Sequence, residues 1–277
     1  MKTLYAADLD GTLLLPGAVL SPFSRTALFS LTSAGALFTA ATARTPATVV
    51  GILDGTGANA PAAMMNGVLL YDLKNKKILS AEPLSKSSQE HILTCAQKHS
   101  AVSMVYTKNG DNLLVCYRPD GSELVSGFVS ARNKTPYKEW LPVESYSEAK
   151  DRQVIYLAAI GSKEKLLPLA EDIKKDTSLK TVLYREVNYD DVFVFEAFSA
   201  NASKGKTIRK SAERVGAERV VAFGDNLNDL PLFEGADIRI AVANAVPEIK
   251  ASADFVCGAN TEDGVVRYIA RDLGLSL

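Results

Sequence analysis

Asp8 and Asp10 stand two positions apart in the run Asp8-Leu9-Asp10-Gly11-Thr12, and a second acidic run, Gly224-Asp225-Asn226-Leu227-Asn228-Asp229, lies towards the other end of the chain. Both follow short apolar stretches, Thr3 to Ala7 and Val220 to Phe223, and a third such stretch, Ala36 to Ala41, runs into Thr42-Ala43-Arg44. Apolar runs that stop abruptly at Asp, Gly or Thr read as buried strands ending in polar loops. In an open parallel sheet, ligands gather beyond the carboxyl ends of the strands, which places Asp8, Asp10, Thr42 and Asp225 at one crevice. Three carboxylates there repel one another unless a hard cation sits among them. Mg²⁺ suits such a place because it accepts few carboxylates and completes its shell with water and substrate phosphate. The cluster therefore predicts both a metal and a phosphate-bearing ligand.

The elements that would hold these groups follow from the same reading. Ser21 before Pro22 is a helix start; Ala27, Leu28 and Leu31 share one face, and Gly35 can end the helix. Pro61 to Met65 reads as a further strand, ending at Asn66-Gly67. Strand, helix, strand in this order suggests a parallel sheet. Near the other end, Ser203 caps a helix with Ile208, Ala212 and Val215 on one face and Gly216 as its stop. Short strands follow at Val220 to Phe223, Ile238 to Val242 and Asp254 to Val256, so the two ends read as one α/β domain. The middle differs, with longer alternating runs at Ser103 to Thr107, Leu113 to Tyr117 and Val192 to Glu196. It reads as antiparallel strands with helices at Lys86 to His99 and Lys163 to Lys175, the second kinked or interrupted by Pro168. The division expected is a core of residues 1–83 and 198–277 with residues 84–197 inserted as a second domain.

The 277 residues, 47% hydrophobic, are enough for one large core or two modest ones. Charge is balanced at 31 Lys+Arg against 32 Asp+Glu, so the basic surplus needed for a nucleic-acid backbone is missing. No run approaches the roughly 18 apolar residues of a membrane span, and Met1-Lys2 leads into a strand rather than a signal pattern. A cytoplasmic protein with neither a nucleic-acid nor a membrane partner is expected, and its oligomeric state is not legible. Cys95, Cys116 and Cys257 are widely spaced, with only His91 and His99 to complete a zinc site, so free thiols are expected.

Taken in order, Asp8-Leu9-Asp10-Gly11-Thr12-Leu13, Thr42, Lys204 and Gly224-Asp225-Asn226-Leu227-Asn228-Asp229 resemble the haloacid dehalogenase superfamily. Ala41-Thr42-Ala43-Arg44, Asn66-Gly67, Ser203-Lys204-Gly205 and the large insertion make the chain similar to the Cof-type sugar-phosphate phosphatases with a class IIB cap. The resemblance implies an α/β fold, a doubly wound Rossmann-like parallel-sheet core with an inserted α+β cap acting as a substrate lid. It implies a Mg²⁺-dependent phosphatase of small phosphorylated metabolites, sugar phosphates among them, working through an aspartyl-phosphate. Asp8 would attack phosphorus, and Asp10 would protonate the leaving oxygen and then deprotonate water. Thr42 and Lys204 would bind the transferring phosphoryl group. Asp8, the Asp10 carbonyl and Asp225 would hold Mg²⁺, with Asn228 and Asp229 orienting ligand or lysine; Asp229 as a direct ligand stays open. The family usually has Gly where Ala43 stands and Ser or Ala where Asn226 stands, which touches fine positioning and removes no reacting group. A phosphomutase of similar fold and a non-catalytic binder of phosphometabolites are the alternatives.

Blander readings exist for several of these residues. A lone Asp-x-Asp is often a solvated turn, and a calcium loop starting at Asp8 would want Gly where Leu13 stands. Asn66-Gly67 reads as a turn, and Arg44 as a surface cation at a helix start; neither is given a catalytic role. His91 and His99 read as the solvated face of a polar helix, and Arg132, Lys134 and Lys138 as a solubilising basic loop that could also attract phosphates.

Overall fold

The computed structural model of the chain describes residues 1–132, 137–186 and 191–276. Lys134 of the expected basic loop lies outside the described residues. The chain divides into two units, residues 1–80 with 203–277 and residues 81–202.

In the first unit the chain runs through β1 (Thr3–Ala7), α1 (Pro22–Ser33), β2 (Leu37–Ala40), α2 (Pro46–Ile52), β3 (Ala62–Met64), β4 (Leu69–Asp72) and β5 (Lys77–Ala81). The inserted unit contributes α3 (Lys86–Lys98), β6 (Val102–Asn109), β7 (Asn112–Tyr117), α4 (Glu123–Arg132), β8 (Lys138–Pro142), β9 (Gln153–Gly161), α5 (Lys163–Ile173), β10 (Leu179–Arg185) and β11 (Phe193–Ser199). The chain then returns with α6 (Lys204–Val215), β12 (Arg219–Gly224), α7 (Leu230–Glu234), β13 (Ile238–Val242), α8 (Pro247–Ser252), β14 (Phe255–Cys257) and α9 (Gly264–Asp272).

The first unit is built on a five-stranded sheet in the order β14-β13-β12-β1-β2, with parallel neighbours throughout. β1 sits next to both β12 and β2, so the chain's winding reverses beside it. That is the topological switch point where open α/β sheets hold their ligands. All five residues of β1 are buried, as a strand covered on both faces requires. Register levels the strand ends, with Ala7 opposite both Phe223 and Ala40. The residues that follow, Asp8, Asp225 and Thr42, therefore leave the sheet at one edge. β3 departs from the expectation of a further parallel strand. It touches the main sheet through one parallel bridge, Ala41 to Ala63, and makes its ladder with β4 in a separate three-stranded sheet.

The inserted unit carries a six-stranded sheet in the order β10-β11-β9-β6-β7-β8. Its pairing is antiparallel except for β7 with β8, which the sequence pattern does not distinguish. One apolar cluster joins Ile92 of α3 and Leu166, Leu169 and Ile173 of α5 to the sheet residues Leu157 and Phe195. α5 runs through Pro168 without a break. Proline there forfeits a single helical donor, and the buried face formed by Leu166, Leu169, Ala170 and Ile173 outweighs that loss. His91 and His99 are not solvated: each places a ring nitrogen on Asp172, on its carbonyl at 2.9 Å and its carboxylate at 2.8 Å respectively, and so ties α3 to α5. Lys138 is buried rather than part of a surface loop, its ammonium 4.9 Å from the Trp140 ring centroid. All three cysteines are free. No helix among the described residues is long and apolar enough to cross a membrane.

Candidate active site

Asp8 is the first residue beyond β1, pinned by its N–H to the Phe223 carbonyl of β12 at 3.0 Å. Lys204 arrives from the opposite direction at the first position of α6, a helix capped by the Ser203 hydroxyl and stopped by left-handed Gly216. Its Nζ donates to Asp8 Oδ1 and to Asp229 Oδ1, both at 2.7 Å. The side chains of Lys204, Asp8 and Asp229 are 2%, 6% and 0% exposed, so this ion triad is out of water. The other Asp229 oxygen accepts from the backbone N–H groups of Asp225 and Asn226, at 3.0 and 3.3 Å. Asp229 thus stiffens the loop that carries Asp225 while orienting Lys204.

Asp225 lies one residue beyond β12 and accepts a 2.7 Å hydrogen bond from the buried Thr12 hydroxyl. Gly11, in the left-handed region at φ 79°, presses its Cα side against that carboxylate; a Cβ there would collide with Asp225 Oδ2. The Asp-Gly step of the first motif is thereby fixed by close approach as well as by turn geometry. Asn244, from the loop after β13, donates to the Gly11 carbonyl at 2.7 Å. Ligand oxygens of Asp8, Asp225 and Asp229 lie within 4.8 Å of one another.

Charge is not balanced here. Three carboxylates meet one ammonium, which leaves two negative charges when all are ionised. Burial pushes the Asp8 carboxyl up to about 8, with Asp229 adding to the push and Lys204 pulling against it. Burial likewise raises Asp225 to about 6, opposed by the Thr12 hydroxyl and reinforced by Asp229. For Lys204 burial works against the charge, but Asp8 and then Asp229 outweigh it and hold the ammonium above the ordinary lysine range. A divalent cation with hard-oxygen preference fits this deficit and this donor set.

Thr42 is buried beyond β2, and its hydroxyl oxygen accepts from the Arg44 N–H at 3.1 Å, leaving its own hydrogen to donate outward. Asp10 is not in the buried cluster: its carboxylate is 53% exposed and is gripped by Arg44, Nε to Oδ2 and Nη2 to Oδ1, each at 2.6 Å. Arg44, read from sequence as a surface cation, therefore belongs to the site. Asn228 is exposed, and among the described residues no hydrogen bond joins it to the cluster. Asn66-Gly67 is more than a turn. Met65, Asn66 and Gly67 are three successive left-handed residues, with φ of 52°, 58° and 88°. Met65 N–H donates to the Arg44 carbonyl and Asn66 N–H to the Thr42 carbonyl, both at 3.1 Å. The Gly67 carbonyl accepts from Thr207 Oγ1 of α6 at 2.7 Å, and a Cβ on Gly67 would strike the Ser203 backbone. This strained loop braces the Thr42–Arg44 segment against the helix that presents Lys204. Thr12, Arg44 and Asn244 are the members that the sequence reading missed. The signal present for Arg44 and Asn244 was their position just past a strand of the same sheet edge.

The family model of haloacid dehalogenase-like hydrolases matches residues 5–269. The chain belongs to that family. Among its relatives, pyridoxal phosphate phosphatase YbhA of Escherichia coli strain K12 is 29% identical over 270 residues, covering 96% of this chain and 97% of the relative. The 5-amino-6-(5-phospho-D-ribitylamino)uracil phosphatase YwtE of Bacillus subtilis strain 168 is 27% identical, over 95% and 96%. In fold, this haloacid dehalogenase-like hydrolase is similar to one from Bacteroides thetaiotaomicron, with a TM-score of 0.79 at 21% identity over 98% of this chain and all of the other. The subclass IIB sugar phosphatase BT4131 gives 0.72 at 20% identity, over 99% of each chain.

Proposed function

We propose that this hydrolase is a Mg²⁺-dependent phosphatase of small phosphorylated metabolites that works through a phosphoryl group on Asp8. The observation that carries the reading is the buried Asp8 carboxylate, held on one oxygen by Lys204 amid a surplus of negative charge at the switch point of a parallel sheet. Asp8 attacks phosphorus with its second oxygen; the bond from phosphorus to the ester oxygen breaks, and Asp10 gives that oxygen a proton. Water then attacks the aspartyl-phosphate, Asp10 takes its proton, and inorganic phosphate and the Asp8 carboxylate are released. Lys204 and the Thr42 hydroxyl face the phosphoryl oxygens and offset their charge. Asp8, the Asp10 carbonyl and Asp225 would hold Mg²⁺, which supplies the positive charge that a phosphate dianion and three carboxylates require. Asp229 spends both oxygens on Lys204 and the Asp225 loop, which favours a positioning role over direct ligation.

The inserted unit, residues 81–202 in the structure and 84–197 as read from the sequence, is proposed as the lid that selects the metabolite, and the cytoplasm as the place of action. Two of the relatives are named for phosphate esters of ring-bearing metabolites, so pyridoxal phosphate and 5-amino-6-(5-phospho-D-ribitylamino)uracil belong beside sugar phosphates in a substrate panel. Phosphate release with Mg²⁺ across that panel tests the reading. Release that needs Mg²⁺ and disappears in Asp8→Asn is expected. Equal release by Asp8→Asn overturns the assignment.

A further inference from the structure

We infer that Arg44 is the positioning residue for Asp10: it aims the carboxylate that takes the proton from water when the aspartyl-phosphate is hydrolysed. This rests on the roles given above to Asp8 and Asp10.

Exposure sets Asp10 apart from the buried carboxylates. Asp8 and Asp229 are buried and immobilised by Lys204, whereas the Asp10 carboxylate is half in solvent and receives no such support from the triad. A solvent-facing aspartate turns readily about its side-chain torsions, and proton transfer tolerates little error, because base and water must meet at hydrogen-bond distance. Arg44 removes that freedom. Its planar fork contacts both carboxylate oxygens at once, which fixes the plane of the group as well as its place.

Arg44 is itself held at both ends of its peptide unit. Its N–H donates to the Thr42 hydroxyl and its carbonyl accepts from Met65 N–H, each at 3.1 Å. The second of these bonds depends on the left-handed run Met65-Asn66-Gly67, and two of those three residues pay a backbone cost to adopt it. A pair formed by two loose surface side chains would have no need of such a mount. Exposed ion pairs contribute little to stability, so the arrangement is better explained by positioning than by folding.

The chemistry gives a signature. An aryl phosphate expels a stable phenolate without needing a proton, so its first half-reaction is nearly indifferent to Asp10. The second half-reaction is not: the water oxygen bonds to phosphorus, the bond from phosphorus to Asp8 breaks with its electron pair returning to the carboxylate, and the water proton must go to Asp10. Disturbing Asp10 alone should leave phosphorylation fast and hydrolysis slow, so that phospho-enzyme accumulates.

The experiment is rapid-quench and stopped-flow hydrolysis of p-nitrophenyl phosphate with Mg²⁺ by the full-length protein, Arg44→Ala and Arg44→Lys, with acid-quenched phospho-enzyme counted. For Arg44→Ala the steady-state kcat should fall about tenfold to a hundredfold, within the range that general base catalysis supplies. KM should fall with it, because slower hydrolysis of a covalent intermediate lowers kcat and KM together, so kcat/KM should stay within about threefold of wild type. A burst of p-nitrophenol approaching one per site should appear, with matching phospho-enzyme. Arg44→Lys, which keeps charge but not the fork, should lie between the two. An unchanged kcat overturns the inference; so does a raised KM at constant kcat, which would make Arg44 a substrate contact, or a first turnover slowed as much as the later ones. Melting temperatures should agree within about 4 °C; if Arg44→Ala melts lower than that, Arg44→Lys decides by the same burst criterion. Asp10→Asn keeps the two levels apart. If Asp10→Asn accumulates phospho-enzyme and the Arg44 variants do not, only the role of Arg44 fails. If neither the wild type nor Asp10→Asn ever carries a phosphoryl group on Asp8, the functional reading itself fails.

Discussion

Two ionic clusters in this molecule use the same interactions in opposite proportion. In the inserted unit one carboxylate, Asp172, is met by Lys98, His99 and Lys175 at 2.6, 2.8 and 2.6 Å. Those donors, Lys175 first, then Lys98 and His99, hold its carboxyl far below the usual range. At the edge of the core sheet the ratio is inverted: Asp8, Asp225 and Asp229 crowd around the single ammonium of Lys204, and Asp8 and Asp225 are raised instead of lowered. The first cluster is satisfied by its own neighbours and fastens α3 to α5. The second is left short of positive charge, in a place where burial makes the shortage expensive, which is the ground for proposing a cation there. Oversupply marks a joint; deficit marks a site.

The sharpest way to break the comparison is at Asp8. Asp8→Asn is nearly isosteric and should keep the fold, but the amide is a poor nucleophile, so turnover should drop by ~10⁴-fold or more. Native-like melting together with ordinary phosphate release would remove Asp8 from the chemistry. The next largest effect is expected at Lys204. Lys204→Met leaves Asp8 and Asp229 buried without their shared cation, which should cost about 3–5 kcal/mol in urea unfolding of the metal-free protein, with Mg²⁺ recovering part of the loss. Unaltered stability would mean that the triad does not carry the charge ascribed to it.

A smaller effect separates the clusters by pH. Because Asp8 and Asp225 are raised, to about 8 and about 6, protons compete with a cation for their oxygens as pH falls through that window. The rise in melting temperature caused by Mg²⁺ should therefore be larger at pH 8.5 than at pH 6. The same rise at both values would sink the argument, since carboxylates of ordinary acidity would be fully ionised throughout. The smallest effect belongs to the satisfied cluster. Asp172→Asn should lower the melting temperature modestly and leave phosphate release and its Mg²⁺ dependence untouched; altered metal dependence would show that this cluster is no mere fastening.

The difference between the clusters also explains what the sequence disclosed. Strand ends carrying Asp8, Thr42 and Asp225 were legible because a buried parallel strand is an unbroken apolar run, and the polar residue that ends it stands out. The helix behind Lys204 was legible through Ser203 and Gly216, which are capping signals written in single residues. Arg44 was not, because its importance lies in reaching Asp10 across the sheet edge, a contact with no sequence periodicity. Asn66-Gly67 announced a turn, but not that two non-glycine residues would accept left-handed backbone to hold Arg44 and Thr42. His91 and His99 looked solvated because the polar face of α3 gives no hint that Asp172 of α5 lies against it. Lys138 looked like a loop cation because charge, read alone, defaults to the surface.

The decisive question is whether an Asp8 oxygen accepts the phosphoryl group and whether a divalent cation completes its surroundings. Beryllium fluoride, which imitates a phosphoryl group on an aspartate, tests both parts in a single thermal-unfolding measurement. With Mg²⁺ and beryllium fluoride together the wild type should melt well above its melting point with either alone, and Asp8→Asn should show no such synergy. Full protection in Asp8→Asn, or equal protection of the wild type without Mg²⁺, would contradict the account.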